Sequence, residues 1–279
     1  MKFSLVHPSR GRAALAEATA REWAARRSPA HTHEHILSVD TTDPAQHDYE
    51  RVAARLGLRL TANPNRTMVE ATNRGLALAE GDVIVVVSDD FSCPEGWDVA
   101  LAGVIDGRPR AAVLVHDGGS ARIMTLPVLT CAYANELGFL YHPAYRSMYA
   151  DDDLTEVARR DGVLIDARHI VFLHRHHSAG LSEADEVSAV QGSLGAWWHG
   201  WRVFQKRRLD GFGARRRTLA VRIAQARVEL YYRVRVAGAA ARRWWLPRLG
   251  GSLRAAEARA RLVALRMLRV VTNARGTEV

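Results

Sequence analysis

The sequence predicts an α/β protein: three layers, α/β/α, around a mixed sheet, followed by a helical and strongly basic C-terminal extension. Three observations lead there. The first ninety residues alternate apolar strand-like runs with helix-like stretches, β-α-β-α-β-α-β, which argues for parallel strands joined by right-handed crossovers. The run 83–87, Val-Ile-Val-Val-Val, is β-branched throughout, as in a strand covered on both faces. Charge divides sharply along the chain: residues 1–200 sum to −7 and residues 201–279 to +16. The expected organisation is a domain over 1–215, with halves 1–106 and 107–215, and an extension over 216–279.

Composition sets the outer bounds. The 279 residues are 48% hydrophobic and 25% charged, the balance of a soluble globular chain with room for a sizeable core. Two cysteines, Cys93 and Cys131, suggest neither a disulfide framework nor a zinc knuckle, and favour a reducing compartment. The N-terminus has one Lys and a short apolar run broken by His7-Pro8, unlike a signal peptide. No apolar stretch approaches the roughly 20 residues of a membrane span. The expected location is cytoplasmic, with peripheral attachment to the inner face of a membrane left open by the basic tail. Only Lys2 and Lys206 are lysines among 39 basic residues, a bias with no functional reading.

Residues 2–7 read as a first strand. Pro8-Ser9-Arg10-Gly11-Arg12 is a basic turn, and 13–27 is helical with Leu15, Thr19 and Trp23 about a turn apart. A basic turn at a helix N-terminus is suited to a phosphate, because free N–H groups and the helix dipole favour anions. Solvated loop charges explain it equally well. Residues 35–40 form a second strand ending in Asp40. His31, His33 and His35 alternate ahead of it, but lack a fourth partner and read as exposed residues leading into the strand. A helix over 48–56, a strand over 58–62 and a helix over 67–78 containing Asn73 come next, and Gly81-Asp82 ends the last helix.

The strand 83–87 then delivers Ser88-Asp89-Asp90. Two adjacent carboxylates at the carboxyl end of a buried strand repel each other and call for a cation, at the edge where open α/β sheets bind ligands. Pro94 and Trp97 open a helix to 105. Residues 111–116 and 122–134 read as strands, the second interrupted by Pro127, so hairpins are expected and the sheet becomes mixed. Asp151-Asp152-Asp153 begin a helix, either as a plain acidic first turn or as the source of a general base. Apolar runs at 163–165 and 170–173 lead into His174-Arg175-His176-His177, candidate metal ligands on weak evidence.

In order and spacing these residues resemble the GT-A-fold (Rossmann-like) glycosyltransferases, in particular the family-2-like group, over roughly 1–215. The resemblance implies roles. Pro8, Ser9 and Arg12 match the first nucleotide-contacting loop, Asp40 the position that pairs with the base, and Asn73 the helix before the metal strand. Ser88-Asp89-Asp90 matches the DxD-type motif, with Ser88 where the family has Asp. Asp89 would contact ribose or metal, Asp90 would ligate Mn²⁺ or Mg²⁺, and His174 matches the late metal-associated histidine, with His176 second. Asp151 aligns best with the general base and Asp152 nearly as well. The implied activity is metal-dependent, inverting transfer from a UDP- or GDP-sugar to an acceptor hydroxyl on a membrane-associated or surface glycan. Alternatives are a hydroxylated base in DNA as acceptor, or a GT-A-like domain that binds nucleotide-sugar without turnover.

Residues 183–208 read as a helix whose Trp197, Trp198, Trp201 and Phe204 either pack over the acceptor side or form a stacking platform. Such stripes are more often core. Two basic helices follow, 216–237 and 252–271, split by Trp244-Trp245-Leu246-Pro247 and Gly250-Gly251. They suit an anionic membrane surface, a nucleic acid, or packing against the acidic domain or another subunit.

Overall fold

The computed structural model describes residues 1–119, 122–175, 193–214 and 218–245, with side chains as far as 235 in the last stretch. Two compact units emerge, Met1–Trp201 and Arg202–Val279.

The first unit is built on a seven-stranded mixed sheet in the order β3-β2-β1-β4-β7-β6-β8. The parallel half is β1 (Lys2–Pro8), β2 (Thr32–Asp40), β3 (Arg59–Asn63) and β4 (Val83–Val86). Its crossovers are α1 (Ala13–Ala25), α2 (Gln46–Leu56) and α3 (Met68–Leu76). The β1 residues alternate between the two covered faces, as a period of two requires. Phe3 and Leu5 join Trp23 of α1 in one core. Val6 faces the other way, against α3, where a Cβ on Gly75 would fall 2.7 Å from Val6 Cγ1. That glycine lets the helix lie directly on the sheet.

The mixed half confirms an expectation and corrects others. β6 (Ala112–His116) and β7 (Val128–Thr130) pair antiparallel, and β8 (Leu164–Val171) runs parallel to β6 as one continuous strand, not two runs. The expected strand over 122–134 is mostly not a strand. After Thr130 the chain turns into α5 (Cys131–Leu137), closed by Gly138 in the left-handed conformation at φ 73°. The helix start has no side-chain cap, because Thr130 Oγ1 is committed to the Ala111 N–H at 3.0 Å. α4 (Trp97–Ile105) and α6 (Ala150–Arg160) complete the layers.

A second, two-stranded sheet pairs β5 (Phe91–Ser92) with β9 (Leu173–His174) in antiparallel register, Phe91 opposite His174. An aromatic cluster buttresses it. Trp23 stacks on Phe172 at 5.4 Å and donates Nε1–H to the Phe91 carbonyl at 3.0 Å. Trp97 Nε1–H in turn donates to the Trp23 carbonyl at 3.0 Å.

α7 (Leu194–Leu209) covers the described part of the helix expected over 183–208, and 183–192 lie outside the described residues. In the second unit α8 (Leu219–Trp245) extends past the expected end at 237 as far as Trp245, and the rest of the expected break, from Leu246 on, lies outside the described residues. The extension agrees with the Ala- and Arg-rich run before the tryptophans, which favours helix. The expected helix over 252–271 lies outside the described residues. Among the described residues no helix is long and apolar enough to cross a membrane.

Candidate active site

The carboxyl ends of β1, β2 and β4 converge, and there Asp89 and Asp90 part company. Asp89 is buried and turned inward. Its Oδ1 accepts from His7 Nε2 at 2.9 Å, and His7 Nδ1 faces His35 Nε2 at 2.9 Å. Its Oδ2 accepts from Ser9 Oγ at 3.0 Å. Ser9 Oγ is 2.7 Å from Tyr49 Oη, which accepts the Arg12 N–H at 2.9 Å. The backbone carbonyl of Asp89 accepts from Thr19 Oγ1 at 2.8 Å, and the Arg12 guanidinium stands 4.0 Å from Oδ2. Two hydrogen-bond chains therefore end on one carboxylate, which ties the loop 8–12 to the end of β4. Asp89, expected at ribose or metal, is held in this structure as the anchor of that loop, because every oxygen it offers meets a protein donor.

Asp90 points the other way. Its Oδ1 accepts from Ser88 Oγ at 2.6 Å, and its Oδ2 lies 3.1 Å from His174 Nε2. The His174 ring stacks on Phe91 at 4.2 Å, set by the β5–β9 register. Burial alone would raise the Asp90 pKa. The His174 hydrogen bond and charge, the Ser88 hydroxyl and the Arg12 charge overrule it and hold the carboxylate well below its usual range. Ser88, the departure from the resembled motif, thus acts as a donor that fixes the Asp90 rotamer.

The remaining sequence candidates are placed unevenly. Asp40 is buried at the end of β2, paired with the Arg10 guanidinium, and accepts from Thr42 N and Oγ1 at 2.8 and 2.9 Å. Pro8 ends β1, and the N–H of Ser9, the next residue, reaches the Ser38 carbonyl at 3.1 Å. Gly11 turns the loop at φ 67° and donates its N–H to Asp43 Oδ2 at 2.5 Å. Asn73 directs its whole amide to the backbone of the loop after α5: Nδ2–H to the Tyr141 carbonyl at 2.7 Å, and Oδ1 from the N–H of Leu140 and Tyr141 at 3.0 Å each. His176 lies outside the described residues.

The acidic triplet sits in the first turn of α6, entered through Tyr149 in the left-handed region at φ 71°, a strained choice for a non-glycine residue. Asp153 is buried and accepts from Tyr145 Oη at 2.9 Å, which makes it structural. Asp151 accepts the Asp152 N–H at 3.0 Å. Burial, then the neighbouring Asp152 charge, pushes the Asp151 pKa up to about 7. Asp152 is also raised, first by burial. A carboxylate poised there suits proton abstraction near neutral pH. Gly200 of α7 presses on this turn: a Cβ at Gly200 would lie 2.2 Å from the Met148 carbonyl oxygen, and Trp197 meets Tyr149 edge-on at 5.6 Å. Trp197 therefore packs, as such stripes usually do.

Three participants escaped the sequence reading: His7, His35 and Tyr49. His35 is buried against His7 rather than exposed, and burial keeps its pKa well below the ordinary value. The signal was available only through register. His7 and His35 share a sheet face by alternation, and β1 and β2 pair with His7 opposite Leu37.

Among the described residues no group of three or more His, Cys, Asp or Glu side chains converges as a metal cage. Asp90 and His174 nevertheless fit a nucleotide-borne cation. One charged oxygen donor and one imidazole nitrogen meet at one point, and Mg²⁺-type ions commonly take few protein ligands, with phosphate oxygens and water filling the rest.

The strand order and the flanking helices are those of the GT-A fold. No protein-family model matches the chain, and no curated protein matches it. Solved structures do. S. aureus TarS 1–349 in complex with UDP-GlcNAc aligns with TM-score 0.58 and 14% identity over 75% of this chain and 67% of that one. The glucosyl-3-phosphoglycerate synthase from Mycobacterium tuberculosis, in complex with Mn²⁺, UDP and glucosyl-3-phosphoglycerate, aligns with TM-score 0.51 and 16% identity, over 76% of this chain and 80% of that one. A longer S. aureus TarS structure aligns with TM-score 0.53 and 13% identity over 83% of this chain, which spans about half (48%) of it. At such identities the likeness is one of fold.

Proposed function

We propose that the chain is a glycosyltransferase that moves a sugar from a UDP- or GDP-sugar to an acceptor hydroxyl, with Mn²⁺ or Mg²⁺ held by Asp90 and His174. The observation that supports it most is the Asp90–His174 pair, assembled by the β5–β9 sheet at the carboxyl edge of β4 and 3.1 Å apart. The GT-A fold and neighbours solved with UDP-GlcNAc or with UDP and Mn²⁺ support the same reading.

In this reading Pro8, Ser9 and Arg12 form the wall against the nucleotide, Asp40 faces the base, and Asp89 keeps that wall in place. Ser88 fixes Asp90. When bound, the cation would neutralise charge developing on the leaving diphosphate. Asp151 or Asp152 takes the acceptor hydroxyl proton as its oxygen attacks the anomeric carbon, the bond from that carbon to the phosphate oxygen breaks, and the nucleoside diphosphate leaves with inversion. The acceptor is a membrane-associated or surface glycan. A thermal-shift screen of UDP- and GDP-sugars with and without Mn²⁺ tests the donor. A ligand at about 100 times its dissociation constant stabilises the native state by about 2.7 kcal/mol. If no donor raises the melting temperature in either condition, the proposal fails.

A further inference from the structure

Helix α8 in the second unit presents two unlike faces. One packs: Val228 is buried, Glu229 pairs with Arg202 at 3.2 Å, Gln225 donates to the Lys206 carbonyl at 2.8 Å, and Arg202 lies over the Tyr232 ring at 4.6 Å. The other face is open and apolar. Leu219, Ile223, Leu230 and Val234 are 73, 47, 59 and 60% exposed. At about 100° of rotation per residue, all four fall within a stripe about 60° wide. Exposed Arg222 and Arg233 border it on one side and Arg227 on the other; the one acid over 218–234, Glu229, lies beyond Arg222 and pairs with Arg202 and with Arg233 at 3.4 Å.

We propose that this face docks the protein on an anionic lipid bilayer. A row of exposed aliphatic side chains flanked by arginines, on a helix too polar to cross a membrane, is the pattern that lies in an interface with its apolar stripe among the acyl chains and its cations at the headgroups. The charge of residues 201–279, +16, complements such a surface. A nucleic acid would use the arginines but leaves the aliphatic stripe without a purpose, since phosphate contacts gain nothing from exposed leucine. The inference does not depend on the donor site, and its test needs no nucleotide.

The test is flotation of the full chain with phosphatidylcholine vesicles, pure or with roughly one-third phosphatidylglycerol, over a salt series. Wild type floats with the anionic vesicles and loses them as salt rises. Leu230→Glu with Val234→Glu, both at exposed positions and checked for unchanged melting, lowers partitioning at least about tenfold. Arg222→Gln with Arg227→Gln weakens low-salt binding and flattens the salt dependence. Three results would overturn the proposal. One is the absence of flotation by wild type. Another is retention on duplex DNA with vesicle binding unchanged in Leu230→Glu/Val234→Glu. The third is a concentration-dependent dimer, seen by sedimentation velocity, that the same double variant abolishes in a protein that never floats.

Discussion

His7 Nε2 stands 2.9 Å from Asp89 Oδ1, inside the core and between two strands whose ends carry the candidate site. The contact links the end of β1 to the turn just past β4. Removing the imidazole leaves a buried carboxylate short of a donor, which costs about 1–3 kcal/mol beyond the lost packing. His7→Ala is therefore expected to lower unfolding stability by about 2–4 kcal/mol in urea titrations, with His7→Gln partly restoring it. Because the loop 8–12 hangs on Asp89, donor KM should rise more than kcat falls. An unchanged urea midpoint would show that Asp89 is not anchored this way.

The pH profile should carry an acid limb. A general base works deprotonated, and burial with the Asp152 charge brings Asp151 up to about 7. Activity is then expected to fall about tenfold per pH unit below that value and to be flat above it. Asp152→Asn removes a like charge, so with Asp151 as base the limb moves to lower pH while Asp151→Asn is nearly inactive. The reverse pattern, with Asp152→Asn inactive, would assign the base to Asp152.

Asn73 holds three backbone groups of residues 140 and 141. Asn73→Ala leaves two N–H donors and a carbonyl seeking partners, an expected loss of about 1–3 kcal/mol. Chemical denaturation reads it directly, and a neutral substitution would mean that water replaces the amide at no cost.

Gly200 has no room for a side chain against the Met148 carbonyl. Gly200→Ala must push α7 off the turn at Tyr149, with an expected cost of about 1–3 kcal/mol. Since Tyr149 opens the helix that bears Asp151, kcat should drop as well. Loss of stability with kcat intact would separate that packing from the catalytic turn.

The legible part of the molecule was the parallel half. β1, β2 and β4 are apolar runs buried on both faces, and the carboxylates or turns that end them stand out by contrast. The helix at 131–137 was not legible. Val128, Leu129, Cys131 and Tyr133 suit either period, and seven residues are too few for periodicity to arbitrate. Only Gly138, a helix-ending glycine, hinted at the outcome. Within the site, Asp90 and His174 were readable as types, but their meeting depends on a two-residue strand pair that no local pattern announces. The different fates of Asp89 and Asp90 are set in the turn just past β4, where His7 of β1 takes Asp89 and His174 of β9 takes Asp90. Adjacent carboxylates look alike until the turn and its histidine partners set which one faces inward.

The central claim is that Asp90, held by Ser88 and His174, carries the cation on which sugar transfer depends. Metal-dependent release of UDP or GDP from the donor that stabilises the chain, compared between wild type and Asp90→Asn at matched folding, tests it most directly. Turnover is expected to require Mn²⁺ or Mg²⁺ and to fall at least about 100-fold in Asp90→Asn. Turnover of wild type undiminished by chelation, or an Asp90→Asn variant as active as wild type, would contradict it.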